Sequence, residues 1–182
     1  QILGYGDSDW AGEIPGRKYT SGYVFMLNGA AVCWRSNSQP LVALSTAEAE
    51  YIALAEAAKE ALYLRKLRAG FEHKNVDESY AIILFEDNTA CESWTRNETD
   101  HNRTRHIDTR FHMIRDNVKK GKVEVNLCPT TEMVADIMTK DLTFDLHSRT
   151  TNRIMGYADQ MARADYANLC EELHAKCMIA DA

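Results

Sequence analysis

No stretch of the sequence stays apolar for the roughly 18 residues that a membrane-crossing helix needs, and the start at Gln1 has neither the charged nor the apolar region of a secretion signal. A membrane span and a cleaved leader are therefore not expected. Gln1, where a native chain would carry Met, suggests a piece of something longer. Zinc-ligand and disulfide spacings are missing as well: Cys33, Cys91, Cys128, Cys170 and Cys177 are odd in number and fit neither pattern, so they read as reduced thiols. A surplus of positive charge is also lacking. The net charge of −6 argues against nucleic-acid binding by bulk attraction and leaves any such binding to local groups of Lys and Arg.

One such group exists. From Arg96 to Lys122 eight Lys or Arg face four Asp or Glu, and His101, His106 and His112 lie among them. The 182 residues, 45% of them apolar, suffice for one packed α/β domain with an appendage.

Residues 2 to 10, ILGYGDSDW, alternate as a strand that puts Leu3, Tyr5 and Asp7 on one face. The runs TSGYVFML and AAVCW flank Asn28-Gly29, the signal for a two-residue hairpin, because both residues tolerate the positive φ of a type I′ turn. Three antiparallel strands follow from this. Ser45 and Glu48 form a capping box, with Ser45 accepting from the amide of 48 and Glu48 returning to the amide of 45. It opens an alanine-rich helix over residues 46 to 68, with Gly70 as its stop. Residues 80 to 87, YAIILFED, are short and apolar enough for a central strand, followed by helices near 88–95 and 107–120, the second closed by Gly121. KVEVNLC is a last strand ended by Pro129, and Thr130 or Thr131 would cap a helix over 132–140. Residues 144–155 and 157–178 read as further helices, the last with Ala162, Tyr166, Leu169, Cys170, Leu173 and Cys177 on one stripe. The expected fold is a mixed five-stranded sheet flanked by helices over residues 1–142, with a helical extension over 143–182.

Carboxylates at the ends of apolar strands are costly to bury unless they are paired or bind a cation. Asp7 and Asp87 both have this placement. On the long helix Glu48 and Glu50 lie about 200° apart, so only one can face a shared site. The cap accounts for Glu48, and Glu50 is left as the candidate. Asp136 sits between Ala135 and Ile137, where Asp is a poor helix former without a capping role. Asp9 shares the Asp7 face and could support the site from outside, whereas Glu86 should point away from Asp87.

Six blocks, GYGDSDWAG (4–12), RKYTSGYVF (17–25), STAEAEYIAL (45–54), FEDN (85–88), RTRHID (103–108) and TTEMVADIMTKDL (130–142), resemble in order the ribonuclease H domain of copia-type retrotransposon polyproteins. The resemblance covers about residues 1 to 155. It implies the ribonuclease H fold and a metal-binding set of Asp7, Glu50, Asp87 and Asp136 that holds two Mg²⁺ or Mn²⁺ ions. It further implies hydrolysis of the RNA strand of an RNA–DNA hybrid, beside the reverse transcriptase and integrase portions of a polyprotein, in the cytoplasm, the nucleus or a virus-like particle. Oxygen-only ligands suit these ions, and no His/Cys cluster competes for zinc.

A hybrid is recognised through 2′-hydroxyls and phosphates more than through bases. Ser45, Thr46 and Asn88 beside the carboxylates are candidates for that contact, as are Arg17, Lys18, Arg35 and Gln39 around the hairpin. Arg103, Arg105, His106 and Arg110, with Lys119, Lys120 and Lys122, could follow the DNA strand. Three positions depart from the family pattern: Gly6 and Tyr19 where Ser is usual, and Glu86 where a small or apolar residue is usual. CPTTEMVAD also lacks the His that cellular and retroviral ribonucleases H carry ahead of the last Asp. Two other readings stay open. One is a domesticated or secreted retrotransposon fragment that binds nucleic acid or a host protein with little catalysis. The other is a related nuclease acting on DNA or structured RNA.

Overall fold

The computed structural model describes residues 1–10, 18–76, 80–96 and 108–157. Strands β1 (Ile2–Trp10), β2 (Tyr19–Leu27) and β3 (Ala30–Ser38) form the expected antiparallel meander. Its hairpin turns on Asn28 at φ 53° and Gly29 at φ 87°, the two positive values of a type I′ turn. Helix α1 (Thr46–Phe71) then crosses over to β4 (Ile82–Glu86), which lies parallel to β1. After α2 (Thr89–Arg96) and α3 (Asp108–Lys119), β5 (Val123–Leu127) adds parallel to β4. The sheet order is β3-β2-β1-β4-β5. Among the described residues no helix is long and apolar enough to cross a membrane.

The two faces of the sheet carry separate cores. On one, the small residues Ala49, Ala57, Ala58 and Ala61 bring α1 down onto Phe25, Leu84 and Val125. On the other, Leu3, Tyr5, Val24, Met26, Ile83 and Phe85 are covered by Met133, Val134 and Ala135, and the Tyr5 and Phe85 rings stack at 5.0 Å. Helix α4 (Phe144–Ile154) closes this second layer. Its Arg153 donates to Glu132 Oε2 at 2.6 Å and lies 5.8 Å from the Tyr5 ring centre.

Three local expectations are corrected. Helix α1 runs through Gly70 to Phe71, and the left-handed residue beyond it is His73 at φ 51°. The extra turn is held by Arg68, which pairs with Glu72 at 2.7 Å and lies over the Tyr80 ring. At the other end Ser45 does accept from the Glu48 amide, but Glu48 Oε2 returns to the amide of Leu44, at 2.8 Å, instead of that of Ser45. Finally, residues 132–140 do not form a capped α-helix. They form two 3-10 turns, Thr130–Glu132 and Val134–Met138, divided by Met133 in an extended conformation (ψ 93°), and neither has a side-chain cap. The reason is burial: Met133, Val134, Ala135 and Asp136 are all buried in succession, whereas an α-helix buries a stripe and exposes the positions between. The expected helix over 157–178 lies outside the described residues.

Candidate active site and metal centre

Parallel strands β1 and β4 end on the same edge of the sheet, which brings Asp7 and Asp87, the residue just past β4, side by side. Glu50, in the first turns of α1, reaches the same edge from the opposite layer. Asp7, Glu50 and Asp87 each offer a carboxylate oxygen within 4.8 Å of the others. Glu50 is held there by the backbone, since its Oε2 accepts from the Ser8 amide at 2.8 Å.

Asp136 joins through a neighbour. Asp7 lies opposite Gly22 in the β1–β2 register, and a Cβ at Gly22 would stand 2.6 Å from Met138 Cβ and 2.7 Å from Thr139 Cγ2. Glycine is therefore what lets the second 3-10 turn settle on the sheet beside Asp7. Once there, Thr139 donates its hydroxyl proton to Asp7 Oδ2. The Lys140 ammonium donates to Asp7 Oδ1 at 2.9 Å and to Asp136 Oδ1 at 2.7 Å. All four carboxylates singled out from the sequence thus stand at one strand edge. Asp9 is half-buried and outside the three-residue cluster.

The site is short of positive charge. Burial pushes the Glu50 carboxyl up to about 10, with further push from Glu86, Asp7 and Asp87. Burial likewise raises Asp7, against the opposing pull of Thr139 and Lys140, and takes Asp136 to about 6 in spite of its bond to Lys140. Glu86, expected to point away from Asp87, is near enough to the cluster to feel the charges of Asp87 and Asp7. It is fully buried, accepts from the Asn88 amide at 3.2 Å and is raised to about 8, chiefly by burial. Burial opposes the charge on Lys140, but its bonds to Asp136 and Asp7 outweigh that and hold the ammonium more basic than usual.

Such a set fits a hard divalent cation. Its donors are all oxygens, it is largely desolvated, and a cation already stands between two of its members. Among the described residues Cys33, Cys91 and Cys128 are free thiols, and no group of cysteine and histidine comes together as a zinc site would require.

The residues proposed for substrate contact are placed unevenly. Ser45 caps α1, Thr46 begins it, and both are exposed beside the carboxylate edge. Asn88 follows Asp87, with its Oδ1 accepting from the amides of Ala90 and Cys91 at 3.0 Å to start α2. Gln39 is corrected: it is buried, and its amide donates to Ser21 Oγ at 2.8 Å and to the Ala49 carbonyl at 2.9 Å, so it ties the end of β3 to α1. Lys18 and Arg35 are exposed. Lys120 pairs with Asp116 at 2.7 Å. Arg17, Arg103, Arg105 and His106 lie outside the described residues. Thr139 and Lys140 were not anticipated, although the four-residue spacing of Asp136 and Lys140 is the one at which opposite charges meet on a helical turn.

No protein-family model matches the chain. It is 39% identical over 141 residues to the retrovirus-related Pol polyprotein from transposon TNT 1-94 of Nicotiana tabacum, which is 76% of this chain and 10% of that polyprotein. The chain thus spans about a tenth of the length of this relative. A shorter likeness, 55% over 64 residues, is to secreted RxLR effector protein 161 of Plasmopara viticola, covering 35% of this chain and 45% of that protein. Among solved structures, a ribonuclease H1 isolated from compost by a metagenomic approach superimposes with a TM-score of 0.55 at 14% identity, over 76% of this chain and 92% of that one. The same enzyme in complex with an RNA/DNA hybrid gives 0.52 at 16% identity, over 76% and 94%.

Proposed function

From a chain that has the ribonuclease H fold and is homologous to a segment of transposon Pol polyproteins, we propose a metal-dependent endonuclease that hydrolyses the RNA strand of RNA–DNA hybrids. The observation that carries this is the convergence of Asp7, Glu50 and Asp87, with Asp136 bridged to Asp7, on one edge of the sheet. Asp7, Glu50, Asp87 and Asp136 would hold two Mg²⁺ or Mn²⁺ ions, which when bound supply an acidified water for attack and a counter-charge for the leaving 3′ oxygen.

The chain's own groups prepare this site. The Ser8 amide fixes the Glu50 carboxylate, Thr139 fixes Asp7, and burial keeps bulk water from screening the charges. Ser45, Thr46 and Asn88 would contact 2′-hydroxyls and phosphates, and Arg103, Arg105 and His106 would track the second backbone. The products would carry a 3′-hydroxyl and a 5′-phosphate. Residues 1–142 would form the catalytic unit and 143–182 an extension of it. Within its element the chain would work beside the reverse transcriptase and integrase portions of a polyprotein, inside the cell or a virus-like particle.

The test is incubation of the chain with labelled RNA–DNA hybrid, duplex RNA and duplex DNA in Mg²⁺ and in Mn²⁺, beside Asp7→Asn. Cleavage of the hybrid alone is expected. Asp7→Asn should lose more than the roughly 10–100-fold that the loss of a supporting group costs at a metal site. Cleavage that survives Asp7→Asn undamaged would overturn the assignment. The likeness to a secreted effector supports a second reading, a retrotransposon-derived domain that binds nucleic acid or a host protein with little catalysis. Hybrid binding without cleavage in either metal would favour it.

A further inference from the structure

Lys140 occupies an unusual place for a lysine. Its ammonium lies between Asp7 Oδ1 and Asp136 Oδ1, at 2.9 and 2.7 Å, while Glu50 and Asp87 each bring a carboxylate oxygen within 4.8 Å of Asp7. The four carboxylates therefore divide unequally. Asp7 is shared between the convergent group of Asp7, Glu50 and Asp87 and the Asp7–Asp136 pair, and it is the pair that encloses the ammonium. Lys140 stands there on a flexible stem whose side chain is 28% exposed, so its head can leave for solvent without unpacking the core. Thr139 donates to the other oxygen of Asp7.

Resting on the metal-dependent reading above, we propose that Lys140 is a resident cation at the position of the second metal ion. Asp7, Glu50 and Asp87 would hold one divalent ion, and Asp7 and Asp136 would be open to a second only where the Lys140 ammonium gives way. Lys140 is thus a positioning residue. Without metal it holds Asp136 against Asp7 and offsets their repulsion, which is why the 3-10 turn can rest on the sheet before any ion arrives. The released ammonium, a compact point charge with rotatable donors, is then free for a phosphate oxygen of the substrate.

The experiment measures Mn²⁺ binding to the full chain by the electron paramagnetic resonance signal of the free ion, for wild type, Lys140→Met and Lys140→Arg. Wild type should show one tight and one weak class. Lys140→Met should tighten the weak class by about tenfold or more, because no charge-assisted hydrogen bonds need to be broken. Lys140→Arg should keep the weak class weak. The metal-free melting temperature of Lys140→Met should fall, and saturating Mn²⁺ should raise it by more than it raises wild type. Identical isotherms for the three proteins, or weaker binding in Lys140→Met, overturn the displacement idea and leave the nuclease reading standing. Absence of Mn²⁺ binding in all three overturns both. Should Lys140→Met fail to fold, the ¹⁵N ammonium spectrum of lysine-labelled wild type in a Mg²⁺ titration decides. The Lys140 signal must move with the second ion, and movement with the first ion or not at all refutes the proposal.

Discussion

Glu50→Gln should make the metal-free protein more stable at neutral pH while destroying its response to metal. Glu50 is buried to 4% exposure, and burial with the neighbouring Glu86, Asp7 and Asp87 holds its proton up to about 10. In the unfolded chain it ionises from an ordinary value of 4.5. The folded state thus binds a proton that the unfolded state has released. Stability from this group is complete below about pH 4.5 and declines as pH rises towards the folded value, by about 1.4 kcal/mol per pH unit. Between pH 5 and pH 7 that amounts to about 2–3 kcal/mol for Glu50 alone. Glu86, raised to about 8, and Asp136, raised to about 6, act in the same direction.

Gln at position 50 keeps an oxygen for the Ser8 amide and removes the titration. Urea unfolding in EDTA at pH 5, 6 and 7 should therefore show wild type losing about 2–3 kcal/mol more than Glu50→Gln over that span, or about 5–10 °C in melting temperature. Mg²⁺ should reverse the loss in wild type by taking up the carboxylate form, as a ligand selective for the folded state does, and should do little for the variant. Parallel pH curves for the two proteins, or a wild type that gains stability from pH 5 to pH 7, would refute the account of a desolvated, self-repelling site.

Two further outcomes follow from the packing. Gly22→Ala should impair cleavage more than global stability suggests. Its Cβ meets Met138 and Thr139 at 2.6 and 2.7 Å, so the strain of about 1–3 kcal/mol falls on the turn that presents Asp136 and Lys140; activity assays beside melting curves check this. Ser45→Ala removes the oxygen that accepts from the Glu48 amide and should lower the melting temperature by about 2–4 °C, for a loss near 1 kcal/mol, with no change in Mn²⁺ stoichiometry.

The strands and three of the carboxylates were legible because each left a local signature. Asn28-Gly29 specified its turn, alternation placed Leu3, Tyr5 and Asp7 on one face, and the cap on Glu48 left Glu50 as the carboxylate for the site. Asp136 was found by its misfit to a helix, and the misfit proved literal, since the segment is not an α-helix. Its 3-10 path was illegible because it depends on four consecutive residues being buried against the far side of the sheet, a tertiary demand with no local period. Gln39 was misplaced for a related reason. A polar residue at a strand end looks like surface until the helix that covers it is known, and here its amide is spent on Ser21 and Ala49.

Lys140 shows how far such reasoning reaches. Its spacing from Asp136 foretells an ion pair, which on an exposed helix would be worth only about 0.2–0.5 kcal/mol. What changes its meaning is Asp7, 133 positions away in sequence and bound to the same ammonium at 2.9 Å. That contact depends on Gly22, whose missing side chain admits the turn. One glycine on β2 thereby sets the distance between two acids from opposite ends of the domain. The acids were recognisable by type as candidate metal ligands, but the lysine that bridges two of them is placed by the packing, and it is there that this site departs from a simple count of its carboxylates.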